Sequence, residues 1–221
     1  MNVELARFNM IEQQIRPWEV LDQNVLSLLA AVKREDFVPA GHRPRAFMDT
    51  QLPLLEGEPH GPCMLEPKVE ARLLQELQLQ RHESVLEVGA GSGFMAALLA
   101  HRSRQVITLE ISETLARMAK DNLRGAAVMN ASVRCIDGSR GLTGEAPFDA
   151  IVLSGSVAAV PQALLEQLKV GGRLVAIVGE EPVMRARLYT RVDTTSWSQT
   201  DLFDTVAPRL SGFPESDRFS F

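Results

Sequence analysis

The sequence predicts an α/β chain: a doubly wound, mainly parallel sheet of seven strands with an antiparallel C-terminal strand and an N-terminal helical extension. Three observations predict it. Short aliphatic runs alternate with helical stretches between Val85 and Val178, the pattern of β-α units whose strands pair in parallel. Phe148 to Leu153 is almost continuously apolar, as an interior parallel strand covered on both faces requires. Beyond Pro182, Leu188 to Val192 and Leu202 to Val206 alternate around a polar turn at Asp193 to Ser196, which reads as an antiparallel pair completing the sheet.

Taken in order, Ala6 to Ile15 reads as a helix ended by Pro17. Asp22 can cap a second helix whose apolar face is Leu21, Val25, Leu28, Leu29 and Val32. Lys33 to Asp36 ends that pattern. Prolines and glycines are then dense from Pro39 to Pro67, predicting a long loop of the kind that carries function, the natural lid of a site. Pro67 suits the first turn of a helix with Val69, Leu73, Leu74 and Leu77 on one face. Strands follow at Val85–Val88, Gln105–Glu110, Ser132–Ile136, Phe148–Leu153 and Leu174–Val178. Ser112 caps the helix after the second strand. Pro161 opens a helix bearing Leu164, Leu165 and Leu168 that Gly171-Gly172 should stop. The whole chain, 1–221, reads as one domain, with 1–80 supplying helices and loop and 81–221 the ligand-binding α/β core.

Composition narrows the function. Net charge is −5, which argues against a nucleic-acid backbone as the main partner. Met1 to Phe8 lacks an apolar core and no run is long enough to cross a bilayer, so neither a signal peptide nor a membrane partner is expected. Cys63 and Cys135 lie far apart without metal-ligand spacing, so no metal site or disulfide framework is indicated and a cytoplasmic location is the reading. The oligomeric state stays open, with a monomer compatible.

The organising stretch is Val85 to Gly93. Gly89, Gly91 and Gly93 make a turn between a strand and a helix, where glycine lets the backbone approach a ligand and the helix N-terminus offers unpaired N–H groups. A nucleotide-type ligand is expected. A dinucleotide fingerprint would need a third glycine where Phe94 stands, which disfavours a nicotinamide dehydrogenase. The observed G-x-G-x-G with Glu87 two residues before it resembles instead the first motif of S-adenosylmethionine-dependent methyltransferases. A tight turn without a ligand is the bland alternative. Three acids fall at strand ends: Glu87, Glu110 and Asp137. Glu110 follows Gly91 by about 20 residues, the spacing at which a carboxylate accepts hydrogen bonds from ribose hydroxyls. Asp137 would face the adenine amine, with Ile136 beside the base.

Over nearly its whole length the chain resembles protein-L-isoaspartate O-methyltransferases. The resemblance is carried by Arg34 to Pro39, Ala46 to Asp49, Leu52-Pro53, the turn Val85 to Gly93, Phe148 to Ile151, Pro161 to Val178 and Val206 to Gly212. It implies a Rossmann-like methyltransferase sheet, S-adenosylmethionine as cofactor, and methyl esterification of L-isoaspartyl side chains in damaged peptides or proteins. It further implies a cofactor site of Glu87, Gly89, Gly91, Gly93, Glu110, Asp137 and Gly138. One segment departs from the family. Its Thr-Ile-Ser-x-Pro aligns on Cys63, Met64 and Leu65 ahead of Pro67, so both hydroxyls of the candidate substrate loop are absent. No catalytic residue is assigned by this alignment. A different acceptor, or a member that binds cofactor or peptide without turnover, are the alternatives. His42, His60 and Cys63 read as loop residues, Arg185, Arg187 and Arg191 as a solvated strand face, and Trp18 and Trp197 as packing anchors.

Overall fold

A computed structural model describes residues 2–58 and 61–215; His60 lies outside them. Helix α1 (Val3–Met10) is capped by the Asn2 side chain and continues through wider and then tighter turns to Trp18, so the predicted break at Pro17 falls in a 3₁₀ turn. Helix α2 (Gln23–Ala31) starts where Asp22 accepts the Asn24 N–H at 2.8 Å, as the cap requires. Its buried face is Val25, Leu26, Leu28 and Leu29, with Val32 just beyond. Leu21, expected on that face, is 65% exposed because it precedes the cap and lies off the helix.

The predicted long loop is partly structured. Two short strands, β1 (Leu52–Pro53) and β2 (Cys63–Met64), pair antiparallel and deliver the chain to α3 (Pro67–Leu77). Helix α3 buries Val69, Leu73, Leu74 and Leu77 as its spacing predicts. At about 1.5–3 kcal/mol for each fully buried aliphatic side chain, that face outweighs the weak intrinsic preference of an 11-residue helix.

The main sheet comprises β3 (Ser84–Val88), β4 (Gln105–Glu110), β5 (Ala131–Cys135), β6 (Phe148–Val157), β7 (Leu168–Glu180), β8 (Val183–Arg191) and β9 (Trp197–Asp204), in spatial order β5-β4-β3-β6-β7-β8-β9. Pairing is parallel from β5 to β7 and antiparallel from β7 to β9. Helices α4 (Phe94–Arg102) and α5 (Glu113–Gly125) cross between strands, and α5 is capped by Ser112 accepting from Leu115. One sheet face, with Val85, Val106, Ala150, Val152 and Val175, packs on the N-terminal helices, α3 and α4. Alternate residues, Leu86, Ile107, Ile151 and Leu174, face a second cluster. The chain order reverses between β3 and β6, so a crevice opens at their carboxyl ends, where open α/β sheets bind ligands.

The expected helix from Pro161 is a single turn, α6 (Gln162–Leu165). Leu168 already belongs to β7, and Gly171-Gly172 form an irregularity inside that strand, between the pairs Phe148↔Leu168 and Ala150↔Arg173, and end no helix. Gly171 has φ +82°, which a glycine adopts without strain. The arginines of β8 are not simply solvated. Arg185 and Arg187 pair with Asp201, while Arg191 donates to the carbonyls of Glu166, Leu168, Asp193 and Thr194.

Candidate active site

The turn after β3 holds Gly89, Gly91 and Gly93 at φ +92°, +51° and +84°, a backbone that L-residues with a Cβ rarely adopt. The three glycines then do different work. Gly89 and Gly91 line a cleft of about 500 Å³ above the β3–β6 reversal. Gly93 lies outside that wall; a Cβ there would come within 3.2 Å of the Ala119 backbone, so its role is close packing of α4 against α5.

Glu110, at the end of β4, is 6% exposed, and its carboxylate is tied to the turn. It accepts the Gly91 N–H at 2.9 Å and the Ser112 N–H at 3.0 Å. Each oxygen keeps a lone pair for a further donor from the cleft, which suits a vicinal diol. Gly138 lines the same wall and has no room for a side chain, because a Cβ would lie 2.5 Å from Val88. Asp137 is beside the wall rather than in it. Its carboxylate accepts the Ser139 N–H at 2.8 Å and packs under Gly212, whose added Cβ would meet it at 2.8 Å.

Glu87 points to the α3 side of the sheet and is fully buried. Ser154, on β6, donates its hydroxyl to Glu87 at 2.7 Å, and the Thr108 hydroxyl on β4 faces the same carboxyl. Burial pushes the Glu87 carboxyl up to about 8, the Thr108 and Ser154 hydroxyls offset part of this, and the negative charges of Glu70 and Glu110 add to it. Glu87 is therefore mostly neutral at pH 7. A small secondary pocket connects it to Cys63, Met64, Leu65 and Glu70.

Beneath that loop sits a buried ion pair that the sequence did not reveal. Arg34, 1% exposed, forms an ion pair with Glu70 and donates to the Leu65 carbonyl at 2.7 Å and the Ala46 carbonyl at 3.2 Å. Its guanidinium also lies over Phe94, 5.0 Å from the ring centroid, so the substrate loop and the glycine turn share one anchor. Burial raises the Glu70 carboxyl to about 7 against the pull of Arg34. The Cys63 thiol is pushed up to about 12, first by burial and then by the charges of Glu66 and Glu70, and its Sγ lies 3.6 Å from the Gln51 Oε1 acceptor. It stays a thiol, with no thiolate available for nucleophilic attack. Leu65 is buried and apolar at the position where the family resemblance expects a hydroxyl.

The closing segment was legible as a resemblance, but its placement was not. Pro208 to Leu210 runs beside the extended end of β6: the Ser156 N–H donates to the Pro208 carbonyl at 2.8 Å and the Leu210 N–H to the Ser156 carbonyl at 2.9 Å. Leu210 thereby seals the space over Gly89 and Gly155, whose added Cβ atoms would meet it at 2.7 and 2.8 Å. Gln51 ties this strap to the loop by donating to the Val206 carbonyl at 2.8 Å. Ser154, Gly155 and the strap thus join the site. Their one sequence signal was the small, polar Ser-Gly-Ser ending an apolar strand.

The family model of Protein-L-isoaspartate(D-aspartate) O-methyltransferase (PCMT) matches residues 6–206. The chain belongs to this family. A protein-L-isoaspartate O-methyltransferase of Koribacter versatilis is 38% identical over 90% of this chain and 88% of its own length. One from Methanoculleus marisnigri is 39% identical over 78% of this chain and 77% of its own. Among solved structures, a protein-L-isoaspartate O-methyltransferase superposes with TM-score 0.78 at 22% identity, covering 91% of this chain and 64% of that one. A Plasmodium falciparum protein assigned to the same class, in complex with S-adenosyl-L-homocysteine, also reaches 0.78 at 20% identity, over 95% and 98% of the two chains. Both structures share the fold. The protein is an S-adenosylmethionine-dependent methyltransferase, and the residues present fit that cofactor: glycines of the turn line the cleft, and a buried carboxylate beside them keeps lone pairs for further donors. No described helix is long and apolar enough to cross a membrane.

Proposed function

We propose that the chain esterifies the free carboxylate of L-isoaspartyl residues in damaged peptides or proteins, acting as one domain in which 1–80 supply the substrate loop and 81–221 the cofactor core. The observation that carries this reading is the convergence on one cleft of the glycine turn, the Glu110 carboxylate and the loop ending at Leu65. Gly89 and Gly91 would accept the cofactor's amino-acid end, Glu110 its ribose and Gly138 its base, with Glu87, Gly93 and Asp137 supporting the walls from behind. The unpaired thiols of Cys63 and Cys135 support a reducing, cytoplasmic setting.

S-adenosylmethionine, when bound, supplies a methyl group on a sulfonium centre. An acceptor carboxylate is already ionised at neutral pH, so no general base is required of the protein. The chain's contribution is placement and exclusion of water. Leu54, Leu65, Leu109 and Leu210 give the cleft apolar walls, and opposite charges that cancel during transfer are favoured by a drier site. Because Leu65 carries no hydroxyl, a different carboxylate acceptor is the second reading.

The test is methyl-ester formation on an isoaspartyl peptide beside its aspartyl twin. Transfer to the isoaspartyl peptide alone is expected, and the double substitution Cys63→Thr/Leu65→Ser should raise the rate. Tight S-adenosylhomocysteine binding without transfer to that peptide would remove the acceptor while keeping the cofactor.

A further inference from the structure

The cleft has an asymmetric charge distribution. Glu110 stands on its β4 side, where the nucleoside would lie. Across the β3–β6 reversal the floor is Ser154 and Gly155, and the wall there carries Arg209 on the strap and Glu181 beyond β7. Arg209 is half-buried and held by its own backbone, since Pro208 and Leu210 on either side are hydrogen-bonded to Ser156. One Nη1 donates to the Gly179 carbonyl at 3.0 Å, and Nε lies 3.5 Å from the exposed Glu215. These two contacts involve at most two of five N–H groups in a planar fork. Arg209 thus lines the same cleft as Glu110 and as Cys63 and Leu65, where the loop lacks both hydroxyls.

We propose that Arg209 holds the acceptor carboxylate, in the place of the hydroxyl that Leu65 lacks; this rests on the isoaspartyl reading above. A guanidinium pairs with a carboxylate through parallel N–H···O bonds and sets its plane, which a single hydroxyl does less well. One oxygen lone pair remains free to form the new O–CH₃ bond as the S–CH₃ bond breaks and its electron pair returns to sulfur; no proton moves. The ester product is neutral, so its hold on Arg209 weakens after transfer, and release of the product is favoured. Placing the cation on the strap rather than on the loop also makes acceptor binding independent of Cys63, whose thiol is a weak donor.

The experiment is a steady-state comparison of wild type, Arg209→Leu and Arg209→Lys on an isoaspartyl peptide, with S-adenosylhomocysteine titrated into each by calorimetry. Loss of a charge-assisted bond predicts a KM for peptide raised about 10- to 100-fold in Arg209→Leu, partial recovery in Arg209→Lys, kcat changed far less, and unchanged nucleoside affinity. Should Arg209→Leu not fold, Arg209→Gln carries the same comparison. An unchanged peptide KM, or a parallel loss of nucleoside affinity and thermal midpoint, overturns the assignment. No transfer by the wild type removes the isoaspartyl reading and this proposal with it, whereas normal wild-type transfer with unaltered Arg209 variants removes this proposal alone.

Discussion

Replacing Glu87 by Gln should stabilise the protein, and increasingly so as pH rises. The carboxyl is fully buried and its titration lies near 8 in the folded chain against 4.5 in an exposed reference. Below pH 4.5 both folded and unfolded forms are protonated and Glu87 contributes no pH dependence. Between 4.5 and 8 the unfolded chain has released the proton that the folded chain still holds, so stability falls with rising pH. At about 1.4 kcal/mol per unit, the full difference is on the order of 5 kcal/mol above pH 8, an upper bound for this site. Gln keeps an acceptor for the Ser154 hydroxyl and has nothing to ionise. Glu70 also titrates high but is present in both proteins, so it largely cancels in the comparison. Denaturant unfolding at pH 5, 7 and 8.5 gives the curve. Near-equality is expected at pH 5, with the variant ahead by several kcal/mol at pH 8.5, or roughly 2–4 °C of melting temperature for each kcal/mol. A difference that does not change with pH would show that Glu87 is ionised in the folded chain and that desolvation does not govern it.

Three further outcomes follow from the site. Glu110→Ala removes an acceptor from the cleft and frees the Gly91 and Ser112 N–H groups; S-adenosylhomocysteine affinity should fall about 10- to 100-fold by calorimetry, and an unchanged affinity would dissociate this carboxylate from the ribose. Arg34→Met leaves Glu70 buried without its partner and the Leu65 carbonyl without a donor, so unfolding free energy should drop by about 3–5 kcal/mol, while Arg34→Met/Glu70→Leu should recover much of it. Gly93→Ala places a Cβ 3.2 Å from the Ala119 backbone at φ +84° and should cost about 1–3 kcal/mol in a thermal melt; a neutral result would mean that α4 and α5 separate easily.

The sequence by itself determined what is local. Asp22, Ser112 and Pro67 start their helices because capping needs only the next few residues. The parallel strands and the glycine turn were legible because burial on both faces leaves a continuous aliphatic run, and a turn at positive φ demands glycine. Glu110 could be singled out because the turn and the following strand end are a fixed number of residues apart.

Tertiary structure decided whatever depends on partners far along the chain. Arg34 looks like the end of a solvated helix, yet it is enclosed, because its partner Glu70 and its Leu65 acceptor come from the far side of the loop. Gly171-Gly172 resemble a helix stop, but register against β6 makes them an irregularity within β7. Gly93 belongs to the glycine turn by sequence, and the space that its missing Cβ leaves is taken by Ala119, a contact between two helices that local pattern cannot express. The strap sets Arg209 and Leu210 at the cleft only by lying beside β6, over 50 residues earlier. The titration of Glu87 likewise belongs to no motif: it arises where three strands and α3 together exclude water from a carboxyl group.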